Sequence, residues 1–417
     1  MVLDVKRAFL HGIATRTIYV EIPGEESENG KYVGRLNRTL YGTRDAPVAW
    51  QKVVKNDMAR LGFEECQMTS GVYIHRDRDL RVVTHVDDFL VAGETQHLKW
   101  LRDELEKTYE LKVQIAGWQP GDSRELSFLG RAIRLSNAGI ELEGDDKHAR
   151  GLIEEWRMQE RSTVSTPYVK PPAHLLSDEG RPPMSLEDAT LFRRAVARIN
   201  YVALDRPDLS FSSRVAAGKM SNPLEGDELL IKRVIRYLKS KPRVSLVYGF
   251  QEPDPDIVVM TDSDWAGDEV TRKSTSGGVV RNGMHTISWW CKLQSTIALS
   301  SCEAELNASL NGAVDGLYAQ GLANDFGDDP SLELITDASA ARGVIMRQGV
   351  GKIRHLHVKQ LWLQQSVARG DIVISKIPRS ENWSDALTHP WTAADLPFWD
   401  AMGLRFIPHP NQTPYWE

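Results

Sequence analysis

Two sets of carboxylates in this sequence have the neighbours and spacing needed to hold divalent cations. The first set comprises Asp4 and the adjacent pair Asp87 and Asp88. An apolar run enters the pair and another leaves it, which predicts the tip of a β-hairpin. Two acids at such a tip are by themselves more often turn formers. With a third acid on a neighbouring strand, however, they could hold two magnesium ions for nucleotidyl transfer.

The second set consists of four acids at predicted strand ends and helix starts, namely Asp262, Glu305, Asp337 and Asp385. Singly, each has an ordinary explanation as a turn former, a first-turn acid, an N-cap or a surface acid. Strand ends and helix starts of an α/β layer meet at one edge of the sheet, where four carboxylates repel each other unless cations neutralise them. The set therefore indicates two magnesium ions that activate a water against a phosphodiester.

Hydrophobic periodicity predicts the elements that carry these acids. In the first part they are strands at 17–22 and 80–86, a helix at 47–63, two strands within 124–144 and a helix at 146–158. A linker rich in Ser, Thr and Pro follows at 161–187, and then two or three helices between Leu186 and Leu238.

The second part is predicted to be a mixed α/β layer fold. Its predicted strands are 257–262, 276–281, 284–290, 332–336 and 371–377, and its helices are 301–325, 338–347 and 355–368. The tail from Trp391 is rich in Trp and Pro and carries no recognisable motif.

Composition excludes several classes of protein. No apolar run is long enough to cross a membrane, and the start lacks the layout of a signal peptide. Three dispersed cysteines predict neither a zinc site nor a disulfide framework. The net charge of −6 argues weakly against a nucleic-acid partner. Residues 191–243, however, hold twelve Lys or Arg against five Asp or Glu, so the helix predicted at 229–243 is either a solvated face or a backbone-tracking surface.

The motifs around the first set resemble those of copia-type retrotransposon reverse transcriptases. They are DVKRAFLHG (4–12), LYGTRDAPVAW (40–50), HVDD (85–88), FLG (128–130), VSTP (164–167), RPDL (206–209) and KRVIRYLK (232–239), in the order of that family. The resemblance implies that Asp4 and Asp87 are the principal metal ligands and that Asp88 is the third acid. It places Phe9 against the sugar 2′ position of the incoming nucleotide, and Gly42 and Pro47 in the loop that faces the new base pair.

Further substrate-binding positions follow from the same resemblance. His85, which stands where the family has Tyr, would support the primer end, and Phe128 and Gly130 would grip the primer. The family also carries a basic finger segment before the first aspartate, whereas this sequence begins three residues before Asp4. The fingers are therefore expected to be truncated.

The motifs around the second set resemble the ribonuclease H domain of the same family. They are DSDWAGDEVTRKSTSG (262–277), SSCEAELNA (300–308), RHLHVK (354–359) and ENWSDALT (381–388). The resemblance implies that the four acids are catalytic and hold metal. Arg272, Lys273, Ser274 and Thr275 become candidate contacts to the nucleic-acid backbone or, equally, members of a polar hairpin turn. His355 becomes a substrate contact or a helix-packing residue.

The expected architecture is a multidomain α+β protein. A reverse-transcriptase palm, ferredoxin-like with an antiparallel sheet, helices and partial fingers, is expected at 1–160, and a linker with a helical thumb or connection at 161–250. A ribonuclease H-like mixed α/β domain is expected at 251–392, and a tail at 393–417.

The implied function is RNA-directed DNA polymerase with ribonuclease H activity. It would use two Mg²⁺ per active site, with Mn²⁺ as a substitute, and an RNA template, a DNA primer, dNTPs and an RNA–DNA hybrid, with no membrane partner. The expected location is intracellular, either cytoplasmic, including virus-like particles, or nuclear. Two alternatives stay open, a truncated element with ribonuclease H activity alone and an inactive nucleic-acid-binding remnant.

Overall fold

A computed structural model of the chain describes residues 1–23, 32–351 and 358–407. Two compact units divide the chain, Met1–Leu129 with Asp325–Gly327 and Gly130–Asn324 with Asp328–Glu417. The domain boundaries expected at 160, 250 and 392 remain predictions. Among the described residues, no helix is both long and apolar enough to cross a membrane.

The N-terminal unit is built on an antiparallel sheet of order β4-β5-β6-β7-β1-β8, with a separate β2-β3 ladder. Its strands are β1 (Val2–Val5), β2 (Tyr19–Glu21), β3 (Val33–Arg35), β4 (Glu64–Glu65), β5 (Val72–His75), β6 (Leu80–His85), β7 (Asp88–Ala92), β8 (Leu111–Gln114) and β9 (Glu125–Phe128). Its helices are α1 (Ala46–Arg60) and α2 (Thr95–Glu106), with short 3₁₀ helices at Ala8–His11 and Arg76–Arg78.

Alternation of buried and exposed residues explains why β6 and β7 pair as predicted. Leu80 and Val82 on β6 and Phe89 and Val91 on β7 point into the core, because successive side chains on a strand face opposite ways. Helix α1 adds Trp50 and other apolar residues at helical spacing to the same core. This core lies under the strands that carry the first set of acids.

The second unit contains the remaining elements. Its strands are β10 (Arg131–Ser136), β11 (Gly139–Glu143), β12 (Arg243–Gly249), β13 (Asp256–Ser263), β14 (Thr275–Asn282), β15 (His285–Leu293), β16 (Ser331–Thr336), β17 (Val373–Lys376) and β18 (Leu404–Ile407). Its helices are α3 (Lys147–Glu155), α4 (Ala173–Leu176), α5 (Leu186–Val202), α6 (Ser210–Gly218), α7 (Glu228–Ser240), α8 (Ser301–Phe326), α9 (Ser339–Ile345), α10 (Val358–Arg369) and α11 (Leu396–Ala401). Short 3₁₀ helices lie at Pro207–Leu209, Arg379–Glu381, Trp383–Leu387 and Ala393–Asp395.

Two sheets organise this unit. In the first, β18, β12, β11 and β10 lie side by side and antiparallel. The second has the order β15-β14-β13-β16-β17, in which β13, β14 and β15 are antiparallel and β16 and β17 run parallel to β13. Parallel pairing brings the carboxyl ends of β13 and β16 to the same edge.

The helical segment and the C-terminal sheet share one hydrophobic core. Phe192 of α5 and Leu238 of α7 belong to the same buried cluster as Val279 of β14, and so do Trp391 and Trp399 of the tail. The tail, in which no motif was recognisable, therefore completes the core and adds β18 as a neighbour of β12. Sequence periodicity predicted neither β12 nor β18.

Candidate active sites

The first set of acids lies on two adjacent strands. Asp4 of β1 stands opposite Asp88 of β7 in antiparallel register, and both residues are half-buried. The backbone N–H of Val5 donates to the carbonyl of Asp87 at 2.9 Å, which fixes the end of β1 against the β6–β7 turn. Burial, reinforced by the charges of Asp87 and Asp4, raises the pKa of Asp88. The three carboxylates thus share one corner of the sheet, as predicted.

The turn that presents Asp87 has an unusual backbone. Val86 adopts φ 57°, a left-handed conformation that is strained for a β-branched residue. The indole N–H of Trp50 on α1, which is 2% exposed, donates to the Val86 carbonyl at 2.5 Å. Sequence reasoning did not single out Trp50, although it closes the 40–50 motif. Its bond holds the turn in the conformation that aims the two aspartates.

The oxygens of the first set are not gathered as tightly as those of the second. Among the described residues, two groups have ligand atoms that all lie within 4.8 Å of one another, and Asp4, Asp87 and Asp88 do not form either of them. A site that closes only on a substrate is consistent with this spacing, because Mg²⁺ usually keeps ligand positions for substrate phosphates.

Four residues of this unit that were predicted to bind substrate lie close to the ends of β1 and β6 or to the start of α1. Phe9 lies in the 3₁₀ helix after β1, with its ring centroid 4.8 Å from that of Tyr41. Exposed Gly42 has φ +90°, a left-handed value that glycine adopts without strain, and exposed Pro47 lies in the first turn of α1. His85 is exposed at the end of β6, as the cross-strand neighbour of Asp88.

The FLG element forms a tight turn. Phe128 ends β9 and is half-buried, and the two residues before β10 both have left-handed φ, 49° for Leu129 and 76° for Gly130. Two consecutive left-handed residues are typical of a two-residue hairpin connection. A role of this turn at the primer remains a prediction.

The second set is gathered more tightly. Asp262 is the last residue but one of β13, Glu305 lies on α8 and Asp337 follows β16. One ligand oxygen from each lies within 4.8 Å of the other two. Asp262 and Glu305 are buried, and Asp337 is half-buried. One carboxylate oxygen of Glu305, Oε2, is buried and accepts no hydrogen bond from the described residues. A buried carboxylate oxygen without a donor suits a bound cation, so these residues fit a divalent metal.

Electrostatics supports the same conclusion. Burial, reinforced by the charges of Asp262 and Asp337, raises the pKa of Glu305 to about 9. Burial also raises the pKa of Asp262 to about 6, although the hydroxyl of Thr388 donates to its carboxylate and opposes this shift. The pKa of Asp337 is raised as well, chiefly by burial. At neutral pH and without a cation, Glu305 therefore holds a proton, which cation binding at this residue must displace.

Close backbone packing positions Glu305. A Cβ added at Gly312 of α8 would lie 2.4 Å from a methyl carbon of Thr261 on β13, and one at Gly316 would lie 2.7 Å from methyl carbons of Val259 and Leu332. The helix can therefore approach the sheet closely only because these two residues lack side chains. At its start, the Ser300 hydroxyl accepts the N–H of Glu303 at 3.2 Å and so caps the helix.

Asp385, the fourth acid of the set, has protein cations on both carboxylate oxygens. Arg379 donates to one oxygen from Nε at 2.8 Å and from a terminal nitrogen at 2.7 Å, and His389 Nε2 lies 3.1 Å from the other. Asp385 is not one of the three acids within 4.8 Å. Burial raises the pKa of Asp385, but His389 and Arg379 outweigh it and hold this pKa below its usual value. The hydrogen bond to Asp385 raises the pKa of His389 to about 9.

A buried asparagine fixes the segment that carries Asp385. The Asn382 side chain donates to the Thr261 carbonyl of β13 at 3.0 Å and accepts from the Ser384 N–H at 3.3 Å. It therefore caps the 3₁₀ helix that contains Asp385 and ties that helix to the strand of Asp262. Sequence reasoning missed Arg379, Thr388 and His389, because only the folded chain shows which cations reach which carboxylates.

The residues predicted to contact the nucleic-acid backbone differ in their exposure to solvent. Arg272 is exposed and Lys273 half-buried in the loop between β13 and β14, whereas Ser274 and Thr275 are buried. The Ser274 hydroxyl accepts the Ala266 N–H at 3.0 Å, which agrees with the hairpin-turn alternative for that residue. His355 lies outside the described residues.

Several basic side chains of the helix predicted at 229–243 form hydrogen bonds within the second unit. On α7, Arg233 and Arg236 donate to the backbone carbonyls of Thr166 and Ser162 at 2.9 and 2.7 Å. Lys239 donates to the Arg161 carbonyl at 2.8 Å. These bonds fasten the predicted linker to α7, so this part of the helix face is not free to track a nucleic-acid backbone.

Comparison with known proteins finds a matching family and two similar polyproteins. Residues 1–170 match the family described as reverse transcriptase (RNA-dependent DNA polymerase). The Pol polyprotein from transposon RE1 of Arabidopsis thaliana is 26% identical over 416 residues, covering 97% of this chain and 27% of that protein. That from transposon TNT 1-94 of Nicotiana tabacum is 27% identical over 401 residues, covering 93% and 29%.

A solved structure shares the fold. The foamy viral protease–reverse transcriptase in complex with an RNA/DNA hybrid superposes with a TM-score of 0.52 at 13% identity, covering 94% of this chain and 45% of that one. The chain therefore has the fold of a reverse transcriptase. The chain is similar to copia-type retrotransposon Pol polyproteins and spans less than a third of the length of the two named above.

Proposed function

We propose that this chain copies RNA into DNA at Asp4, Asp87 and Asp88 and hydrolyses the RNA strand of the resulting hybrid at Asp262, Glu305, Asp337 and Asp385. The observation that carries the proposal is the convergence of three buried or half-buried carboxylates within 4.8 Å at the end of β13. Because such a cluster of like charges is unfavourable by itself, a divalent cation is the ligand that best explains it.

Magnesium, or manganese in its place, would stabilise the charge that develops on the phosphate and activate the attacking oxygen when bound. The protein's own residues orient that chemistry. Asp4 and Asp88 face each other across two strands, and the Val86–Asp87 turn presents the third carboxylate. In the second unit Asp262, Glu305 and Asp337 supply oxygens from three different elements. Sites built from rigid strands and helices hold such geometry well.

The proposed substrates follow from the two chemistries. An RNA template, a DNA primer and dNTPs would meet at the first site, where Phe9 would select deoxynucleotides. An RNA–DNA hybrid would meet the second, recognised through its 2′-hydroxyls and groove shape, with Arg272 and Lys273 on its backbone. A second candidate function is ribonuclease H activity alone, which is favoured by the looser spacing of the first set of carboxylates.

Primer extension and hybrid cleavage by the purified chain with Mg²⁺ test both functions. Asp87→Asn is expected to lower extension more than about a hundredfold and to leave cleavage intact, because it removes a metal ligand from one site only. Asp262→Asn is expected to do the reverse. Asp103→Asn and Asp371→Asn, which change exposed acids of the two units, are matched controls.

The possible results separate the candidates. Cleavage without extension in the unsubstituted chain would reduce the function to ribonuclease H, and absence of both activities would contradict the proposal. Extension that survives Asp87→Asn would show that the first site is wrongly assigned.

A further inference from the structure

The four acids of the second set have unequal surroundings. Three of them, Asp262, Glu305 and Asp337, lie together and form no ion pair with a cation among the described residues, although the charge of Arg379 lowers the pKa of each. The fourth, Asp385, has two contacts from Arg379 on one oxygen and one from His389 on the other. The protein's own side chains therefore form ion pairs with Asp385, whereas an external cation would have to neutralise the other three acids.

The contacts on Asp385 have the strength to compete with a metal ion. Arg379 directs two nitrogens at a single oxygen, and hydrogen bonds between charged partners are stronger than neutral ones. Asp385 is buried, so this attraction is less screened than it would be at the surface. His389 is in turn held by the Pro390 carbonyl at 3.0 Å and lies 3.6 Å from Asp395. Both oxygens are thus occupied by well-placed donors.

Arg379 itself is largely exposed to solvent. Its side chain is 71% exposed, and its charge does not depend on pH in the working range. The guanidinium would therefore hold Asp385 as a counter-ion in the absence of substrate. An ion bound between Asp385 and its neighbour Asp262 would have to displace it.

We propose that Arg379 serves as a built-in cation at Asp385, so that the substrate-free second unit binds one divalent ion tightly, at Asp262, Glu305 and Asp337, and a second one only weakly. This inference rests on the proposed function of these acids. Arg379 is thus a positioning residue that sets the metal stoichiometry of the site.

Mn²⁺ titration of the full chain, followed by electron paramagnetic resonance and calorimetry, tests the inference without an activity measurement. The titration uses an Asp87→Asn/Asp88→Asn background, which removes the acid pair of the first site. We expect one tight ion in this background. Arg379→Gln combined with His389→Gln is expected to tighten the second ion about tenfold to a hundredfold, the size expected for losing a hydrogen bond to a charged group.

Two further substitutions make the result specific. Arg379→Lys keeps the charge and is expected to stay at one tight ion. Arg369→Gln removes an exposed arginine that pairs with Asp371 instead, and is expected to change nothing. Thermal denaturation of each variant establishes that it is folded.

Every outcome decides the matter. Two tight ions in the background chain, a second tight ion in Arg379→Lys, or an unchanged second ion after the double substitution would each overturn the inference. If Asp262→Asn fails to abolish the tight ion, the three-acid metal site is itself wrong and the proposed function fails with it. If Asp262→Asn loses the tight ion but Arg379→Gln combined with His389→Gln leaves the affinity for the second ion unchanged, the role of Arg379 is wrong and the three-acid metal site stands.

Discussion

At the scale of single residues, Glu305 shows how strongly the fold holds an unfavourable charge in place. Its carboxylate is buried beside two other acids, and its pKa is raised to about 9. An acid whose pKa is raised on folding binds protons more tightly in the folded state than in the unfolded one. The free energy of unfolding then falls as pH rises from the unfolded value, near 4.5, through the folded one.

This sign gives a testable pH dependence. With a chelator present, the melting temperature of the second unit is expected to fall between about pH 5 and pH 8.5, and Mg²⁺ is expected to restore it. Glu305→Gln, which cannot ionise, should melt higher than the unsubstituted chain at pH 8 without metal, by about 2–4 °C for each kcal/mol regained. Calorimetry across pH measures both effects, and Glu381→Gln, an exposed acid, is the control. Equal pH slopes in the two variants would contradict the assignment.

At this scale, sequence analysis could predict the acids of the second set but not the cations that contact Asp385. Asp262, Glu305 and Asp337 could be predicted because strand ends and helix starts meet at one sheet edge. The cations on Asp385 could not be predicted, since Arg379 precedes it by six residues and His389 follows it by four without forming a recognisable motif. Which oxygen each cation reaches depends on the turn capped by Asn382.

At the scale of elements, helix α1 is connected directly to the hairpin of β6 and β7. The indole N–H of Trp50 satisfies the carbonyl of Val86, whose left-handed backbone needs support from its surroundings. The helix therefore does more than cover the sheet, because it holds the turn from which Asp87 projects. The motif at 40–50 and the acid pair at 87–88 are thus physically linked.

Trp50→Phe tests this link, because it keeps an aromatic side chain and removes the donor. The unpaired carbonyl is expected to cost about 1–3 kcal/mol of stability. The kcat of primer extension is expected to fall by up to about a hundredfold, as it does for an ångström-scale shift of reacting groups, with little change in the Kd for template–primer. Trp100→Phe, which changes a half-buried tryptophan of α2, is the control for lost packing. Equal effects of the two substitutions would show that Trp50 acts through packing alone.

Most helices and strands near the acids could be predicted, whereas β12 and β18 could not. The β6–β7 hairpin and the helix now seen at Ala46–Arg60 follow from local periodicity of period 2 and 3.6. Strand β12 pairs with β11 and β18, from positions about a hundred residues earlier and about 160 later in the chain. Such long-range pairing leaves no local pattern, so a short apolar run can be read in more than one way.

At the scale of the whole molecule, the second unit is held together by a buried polar network as well as by its apolar core. Arg206 binds both oxygens of Asp208 at 2.9 and 2.7 Å, and the Tyr237 hydroxyl donates to the same carboxylate at 2.6 Å. The indole N–H of Trp391 donates to the Asp208 carbonyl at 3.0 Å. Asp208 therefore forms hydrogen bonds with Arg206 and Tyr237, which precede the C-terminal sheet in sequence, and with Trp391, which follows it.

Asp208→Ala would leave the guanidinium of Arg206 buried without its partner. We expect a loss of about 3–5 kcal/mol in the free energy of unfolding, the usual cost of breaking a buried ion pair. Since the tail and the helices share this network and one core, hybrid cleavage should be lost in the same unfolding transition. Denaturant titration followed by cleavage measures this, with Asp178→Ala at a more exposed ion pair as the control. Separate transitions would contradict a shared core.

The close packing of α8 on the C-terminal sheet has a consequence for comparing copies of such elements in genomes. A copy that gained even an alanine at Gly312 would push against Thr261 and shift Glu305 away from its partners. That copy would still encode every carboxylate of the two sets. A survey that counts only intact acids would therefore overestimate how many copies can fold with Glu305 in place. Glycine at 312 and 316 is the better marker of such copies.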